Sequence, residues 1–345
     1  MSSTATTEKK APVTGRKKRK IFRCFIAAVL VLLAAVAIFS IASPLPVAYV
    51  LKIAFRNGNA VAPEDYELLQ IRTFAATNLK YPSKYESNTA DIYYPSKKVG
   101  PYPVILWIHG GAYVGGDKKD LSIYATSLAA EGYAVVCMNY QLAPGAKYPT
   151  PVIQTGEAYE WLCDIAEEYS LDMERFVLAG DSAGAHIAAQ FAAIQSNEVY
   201  AAEMGIEPVV IPETLKAAVL YCGPFDSVKI SAVDNRILSF LLSRAAWAYF
   251  GERSWEEPFA HQASIAEHIT ADFPPAFISD GNTASFEDHA RGFVEVLSDN
   301  GVSVETYFIN KEVETTYHEY QFVMNTPAGR EAFQKTLEFL DKYVR

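Results

Sequence analysis

Cysteine is scarce: four in 345 residues, at positions 24, 137, 163 and 222. None of their spacings resembles a metal knuckle or a disulfide framework, so free thiols are expected. The six histidines (109, 186, 261, 268, 289 and 318) include no H-E-x-x-H or comparable ligand pair, and neither a metal nor a cofactor is implied. No internal repeat is apparent. Basic charge is lacking outside one place. The first 20 residues hold seven Lys/Arg against one acid, whereas the remainder holds 23 bases against 39 acids. So acidic a body speaks against nucleic-acid binding. Charge of either sign is missing between Phe25 and Ser43, a run of 19 residues.

That run has about the length that spans a bilayer. Residues 2–15 are small, polar and charged and are expected to be disordered. Arg16-Lys17-Lys18-Arg19-Lys20 then precedes the apolar run, an order that keeps the N-terminus cytoplasmic and the body outside. A nuclear or nucleic-acid role for the basic cluster fits poorly with its position against an apolar span. A cleaved signal peptide is the stronger rival, because Ser40-Ile41-Ala42 is an acceptable small-x-small site. The apolar stretch exceeds the usual core of about 7–15 residues, however, and this favours an uncleaved anchor. The expected layout is a basic tail (1–20), a signal anchor (21–43), a membrane-proximal neck (44–70) and one main domain (71–345). The protein is then expected in the cell membrane, with one pass and an extracytoplasmic body; cleavage would make it secreted.

Half of the residues are hydrophobic, enough for a single large core. Buried strands are expected at 88–95, 103–108, 134–140, 175–179, 215–222, 275–279 and 302–309. Helices are expected at 119–131, 151–168, 183–194, 286–299 and 328–343. Such alternation means an α/β fold with a mostly parallel sheet. The aromatic and apolar stretch 228–260, with Leu238, Leu242, Trp247 and Trp255, reads as a helical cap inserted between core strands.

Gly180-Asp181-Ser182-Ala183-Gly184 falls between an apolar strand and an alanine-rich helix. G-x-S-x-G in that setting is a nucleophile elbow: its glycines permit a sharp turn that stands the serine hydroxyl above a helix N-terminus. The positive end of that helix suits an oxygen that gains negative charge. Upstream, His109-Gly110-Gly111-Ala112-Tyr113 and the glycines that follow leave a strand as a loop able to point amides into a site.

Three stretches together resemble the α/β-hydrolases of the carboxylesterase and hormone-sensitive-lipase-like group. HGGAYVGGD (109–117) resembles that family's oxyanion loop, YQLAP (140–144) its Y-R-L-A-P turn, and GDSAG (180–184) its elbow. The likeness runs from about residue 88 to the C-terminus. It implies an eight-stranded sheet, Ser182 as nucleophile, His318 after the last strand as its base, and an oxyanion hole drawn from Gly110, Gly111, Ala112 and Ala183. His109 is expected to brace the loop and His186 to pack.

The family pattern breaks at the acid, which should fall near position 284, where this chain has alanine. Asp280, at a strand end, is favoured over Glu287 and Asp288, whose places at a helix start have a structural explanation of their own. Asp226 is a further alternative. The resemblance implies hydrolysis of small to moderate acyl esters through an acyl-enzyme, with a small-molecule substrate and no cofactor. An amide or peptide, or an acyl group on a surface glycan, would suit the same machinery. A catalytically inactive binding protein is the alternative outside enzymes.

Overall fold

The computed structural model describes residues 14–97, 100–230, 235–253 and 258–345, with side chains from residue 18. Most of the basic tail, and Trp255 of the expected cap, lie outside the described residues. The chain divides into two units, residues 1–46 and 47–345. The first contains α1 (Thr14–Ala42), whose segment Lys18–Ala42 is long and apolar enough to cross a membrane, with a mean hydropathy of 3.0 over its most apolar 18 residues.

In the second unit, eight strands form one sheet: β1 (Thr73–Lys80), β2 (Thr89–Pro95), β3 (Tyr102–Ile108), β4 (Ala134–Met138), β5 (Leu171–Asp181), β6 (Leu215–Tyr221), β7 (Ala276–Asp280) and β8 (Val304–Phe308). Their order is β1-β2-β4-β3-β5-β6-β7-β8. Only β2 runs against its neighbours; the rest are parallel. The helices, in chain order after α1, are α2 (Leu45–Ala54), α3 (Tyr66–Ile71), α4 (Ser122–Ala130), α5 (Thr150–Asp164), α6 (Ala166–Tyr169), α7 (Ala183–Ser196), α8 (Glu198–Met204), α9 (Arg236–Phe250), α10 (Pro258–Gln262), α11 (Glu287–Asp299) and α12 (Pro327–Val344).

The central strands are apolar throughout because both faces are covered, and alternate residues feed two cores. Val104, Leu106, Ile108 and Leu178 pack on one side with α5 and α7. Ile105, Trp107, Val177 and Ala179 pack on the other with α4 and α12. Beneath the sheet Tyr221 shares a hydroxyl bond with Tyr124 (2.7 Å) and another with Thr336 of α12. In register, Ile108 lies opposite Gly180, Asp181 opposite Tyr221, and Asp280 opposite Phe308. The loops after β3, β5, β6, β7 and β8 therefore leave from one edge, where parallel sheets carry their sites.

Two boundaries differ from expectation. The edge strand β1 is absent from the strands read in the sequence, because its alternation is broken by polar residues and an irregular register between Ala76 and Leu79. Residues 47–70 are not a free neck. Val47, Ala48 and Leu51 of α2 are buried in the second unit, and Val61 pairs with the C-terminal loop through Phe322 and Met324. The expected cap is present between β6 and β7. Its main helix, α9, starts where the Asn235 side chain accepts the amides of Ile237 and Leu238, and it stops at Gly251 in the left-handed region.

One buried ion pair fixes the end of the loop that follows β3. Lys118 Nζ lies 2.6 Å from Asp91 Oδ1 and 3.0 Å from Asn78 Oδ1, with both charged side chains about 5% exposed. Lys118→Met leaves the Asp91 carboxylate buried without its cation, a loss of about 3–5 kcal/mol. A urea unfolding curve should show it as a lower midpoint with an unchanged slope; an unchanged midpoint would mean the pair is not needed.

Candidate active site

The chain leaves β5 through Ser182, whose φ of 52° is left-handed, the strained geometry expected of an elbow. Gly184 is obligatory there, since a Cβ would collide with the carbonyl oxygens of Ile108 and His109. Ser182 is largely buried and heads α7.

Across from it, the loop after β8 presents His318. Its Nε2 lies 2.9 Å from Ser182 Oγ. On the other ring nitrogen the arrangement departs from a direct acid contact. His318 Nδ1 meets Ser285 Oγ at 2.7 Å, and Ser285 Oγ donates in turn to Asp280 Oδ1. A hydroxyl has one proton to give. With that proton on Asp280, the Ser285 oxygen must accept from Nδ1–H, which leaves the Nε2 lone pair facing Ser182. Burial lowers the His318 pKa to about 4 and raises that of Asp280 to about 7.

The two loops of this relay are fastened together. Asn282 donates to Thr316 Oγ1 (3.2 Å) and accepts from the Thr316 amide (3.1 Å), while its Nδ2 reaches the carbonyls of Ile309 and Glu314. Thr283 bridges to Tyr317. Of the other expected acids, Glu287 is held by Arg291 at 2.6 Å, and Asp226 caps a short helical turn and binds Lys229 at 2.7 Å. Asp288 lies in the first turn of α11. None of these three has a hydrogen bond to His318 among the described residues.

The loop after β3 comes over Ser182 with Gly111, Ala112 and Tyr113 all at positive φ. His109 braces it, stacked on Tyr140 at 4.6 Å with its Nδ1 2.6 Å from the Gly110 carbonyl; Tyr140 donates to the His109 carbonyl. The YQLAP tyrosine thus supports the loop. Gly110 must be set aside as an oxyanion donor, because its amide is committed to Asp181 Oδ2 at 2.7 Å. The amides of Gly111 and Ala112 have no hydrogen-bond acceptor among the described residues. Ala183 occupies the first position of α7, where a helical N–H has no partner four residues back.

Glu319 was not singled out from the sequence. Left-handed at φ 59°, it turns its carboxyl toward Asp181 and places Oε1 3.6 Å from His318 Nε2. Burial, reinforced by the nearby Asp181 charge, lifts the Glu319 pKa well above the usual carboxylate range. Asp181 is raised to about 6 by burial, against donation from Trp107 Nε1 and Gly110 N. Raised together, the two neighbouring carboxyls resist carrying charge at the same time. Ser285 was missed too. Its sequence signal was a hydroxyl beside the position where the family has its acid.

His186 packs, as expected: its Nε2 lies 2.8 Å from the Ala263 carbonyl, and burial lowers its pKa to about 4. Cys222, Asp280 and His318 bring ligand-type atoms within 4.8 Å of one another. Both His318 nitrogens already face hydroxyls, so the relay accounts for this convergence.

Two cavities meet at Ser182. The larger, about 420 Å³, is lined by Phe55, Asn57, Leu238, Leu242, Phe286 and Glu319 among others. The smaller, about 20 Å³, is apolar and lies between Ala112, Ala183, Pro224, Ile230, Leu242 and Ala246.

Sheet order, elbow and histidine loop make this an α/β-hydrolase of the carboxylesterase and hormone-sensitive-lipase-like group. The chain belongs to the BD-FAE family, whose model matches residues 90–289. Among curated proteins it is 30% identical over 240 residues to "Esterase LipI" of Mycobacterium tuberculosis, an alignment covering 68% of this chain and 71% of that one. It is 28% identical over 260 residues to "Carboxylesterase NlhH" of the same organism, covering 73% and 77%. Of solved structures, esterase B from Lactobacillus rhamnosis superposes with a TM-score of 0.69 at 21% identity, covering 93% of this chain and 94% of that one. "Bacterial Heroin Esterase" gives 0.66 at 23% identity, covering 79% and 85%. These structural likenesses show the fold.

Proposed function

We propose that this chain hydrolyses carboxylic esters with a small acyl group by two-step acyl transfer on Ser182. The observation that carries the reading is the 2.9 Å approach of His318 Nε2 to Ser182 Oγ, continued through Ser285 to Asp280. Ser182 Oγ attacks the ester carbonyl while His318 Nε2 takes its proton. The tetrahedral oxyanion is received by the amides of Gly111, Ala112 and Ala183. Collapse breaks the bond to the alcohol oxygen, which leaves with the proton from His318. Water, deprotonated by His318, then releases the acid and restores Ser182.

The acyl group goes into the crevice beside Ala112 and Ala183, whose roughly 20 Å³ suits a chain of very few carbons. The alcohol occupies the larger cavity. The Lys18–Ala42 helix supports anchoring by a single span, with the catalytic unit outside the cytoplasm.

A fluorophosphonate probe should label the chain on Ser182, as read by peptide mapping. With p-nitrophenyl esters, kcat/KM should fall by about tenfold or more between acetate and octanoate, the loss expected for a few methylenes left outside the crevice. Absence of labelling on the folded protein would remove the nucleophile, and equal rates along the series would remove the acyl assignment.

A further inference from the structure

The helix that follows the apolar span is two-faced. Val47, Ala48 and Leu51 of α2 are buried in the catalytic unit, whereas Tyr49, Val50 and Ile53 are 58%, 61% and 71% exposed. At 100° per residue these three exposed side chains share one arc, an apolar strip with Lys52 beside it and Arg56 just beyond the helix. No acid occurs from Ile21 through Pro63, although the body as a whole is strongly acidic. Only Ser43 and Pro44 separate α1 from α2, so the start of α2 lies within about 11 Å of the end of the apolar span. The residues that follow α2 enter the site. Phe55, Asn57 and Asn59 are exposed and line the large cavity, which makes them part of its rim. On another side of the same cavity, α9 contributes Leu238 and Leu242 and leaves Ile237 74% exposed.

We propose that the exposed face of α2 docks on a lipid surface, and that the large cavity is filled from that surface by lipophilic esters, a short acyl group on an apolar alcohol. The inference rests on the anchoring and ester-hydrolase readings above. A strip of Tyr, Val and Ile flanked by Lys and Arg is the composition of a helix that lies in the headgroup boundary of an anionic membrane. The two-residue connection holds α2 near that boundary whenever the span is inserted. Its C-terminal end then delivers Phe55 to the rim, so a molecule dissolved among the acyl chains meets the opening without crossing bulk water. The crevice at Ser182 takes the small acyl group, and the long alcohol trails through the large cavity toward the lipid.

The test uses the full chain reconstituted into phosphatidylcholine/phosphatidylglycerol vesicles, with two acetates: decyl acetate dissolved in the bilayer and p-nitrophenyl acetate in the water. The acyl-enzyme is the same for both. In Val50→Glu/Ile53→Glu the rate on decyl acetate should fall by about tenfold or more, with p-nitrophenyl acetate unchanged. Equal rates of variant and wild type on both esters overturn the docking and leave the anchor and the chemistry standing. Failure of the wild-type chain to float with vesicles refutes the anchor, and the proposal with it. Failure to hydrolyse p-nitrophenyl acetate refutes the ester reading, again with the proposal. Should the double variant lose both activities, a labelling experiment decides. Ile53→Cys in a Cys24→Ser/Cys163→Ser background should resist a membrane-impermeant maleimide in vesicles and react in detergent. Equal labelling in the two settings overturns the docking.

Discussion

Ser182→Ala and His318→Ala should each lower kcat for p-nitrophenyl acetate by roughly five to six orders of magnitude, and the double variant should be hardly worse than either. The expectation follows from a single proton path. Without His318 the Ser182 hydroxyl loses the one side-chain base hydrogen-bonded to it among the described residues, since Glu319, 3.6 Å from the imidazole, is turned to Asp181 and its charged form is disfavoured by burial and by that neighbour. Without Ser182 the imidazole can serve only water. What remains, on the proposed mechanism, is the oxyanion group of Gly111, Ala112 and Ala183, worth some three to four orders of magnitude over the uncatalysed reaction in comparable enzymes. Steady-state assays on protein with an unaltered unfolding midpoint measure the effect. Additive losses, or appreciable turnover in His318→Ala, would mean that another base acts.

Asp280→Asn is expected to cost about four orders of magnitude in kcat, and Ser285→Ala a smaller but large share of that. On the proposed mechanism Asp280 acts at a distance, holding the Ser285 proton so that Ser285 accepts from His318 Nδ1. An asparagine can present an N–H to Ser285, reverse the hydroxyl and leave His318 in the wrong tautomer. Ser285→Ala removes the bridge while leaving the Asp280 charge close by. The pH profile separates a role in proton positioning from a merely structural one. Burial lifts Asp280 to about 7 and lowers His318 to about 4, so the first proton added to the relay enters near neutrality. Wild-type kcat/KM should therefore rise with pH through about 7, as Asp280 becomes charged and His318 stays neutral. Asp280→Asn should move that acid limb to lower pH. A limb that stays near 7 would show that another group sets it. Ser285→Thr, which keeps the hydroxyl, should recover much of the rate lost in Ser285→Ala.

Much of this site was legible in the chain because its parts carry backbone constraints. The elbow needs glycines around Ser182, the loop after β3 turns through a glycine cluster with Gly111 at positive φ, and continuous apolar runs mark strands covered on both sides. The position of His318 followed from strand order. The link between His318 and Asp280 was not legible, since spacing alone cannot show that Ala284 lies in the left-handed region and hands its place to the next side chain. Glu319 escaped for a similar reason: a glutamate in a loop looks solvated until the fold brings it against Asp181. Gly110 was read as a donor from its place in the motif, yet its amide was already claimed by a carboxylate 71 residues later. In each case the deciding partner is remote in sequence.

The burial of Val47, Ala48 and Leu51 sets the limit for trimming this protein. A cut after Ala42, at the small-x-small site, would release the catalytic unit with its first helix intact. A cut ten residues later would strip one wall from the folded body and bare the apolar surface beneath it. A shed, water-soluble form of the enzyme must therefore begin in the few positions ahead of Val47.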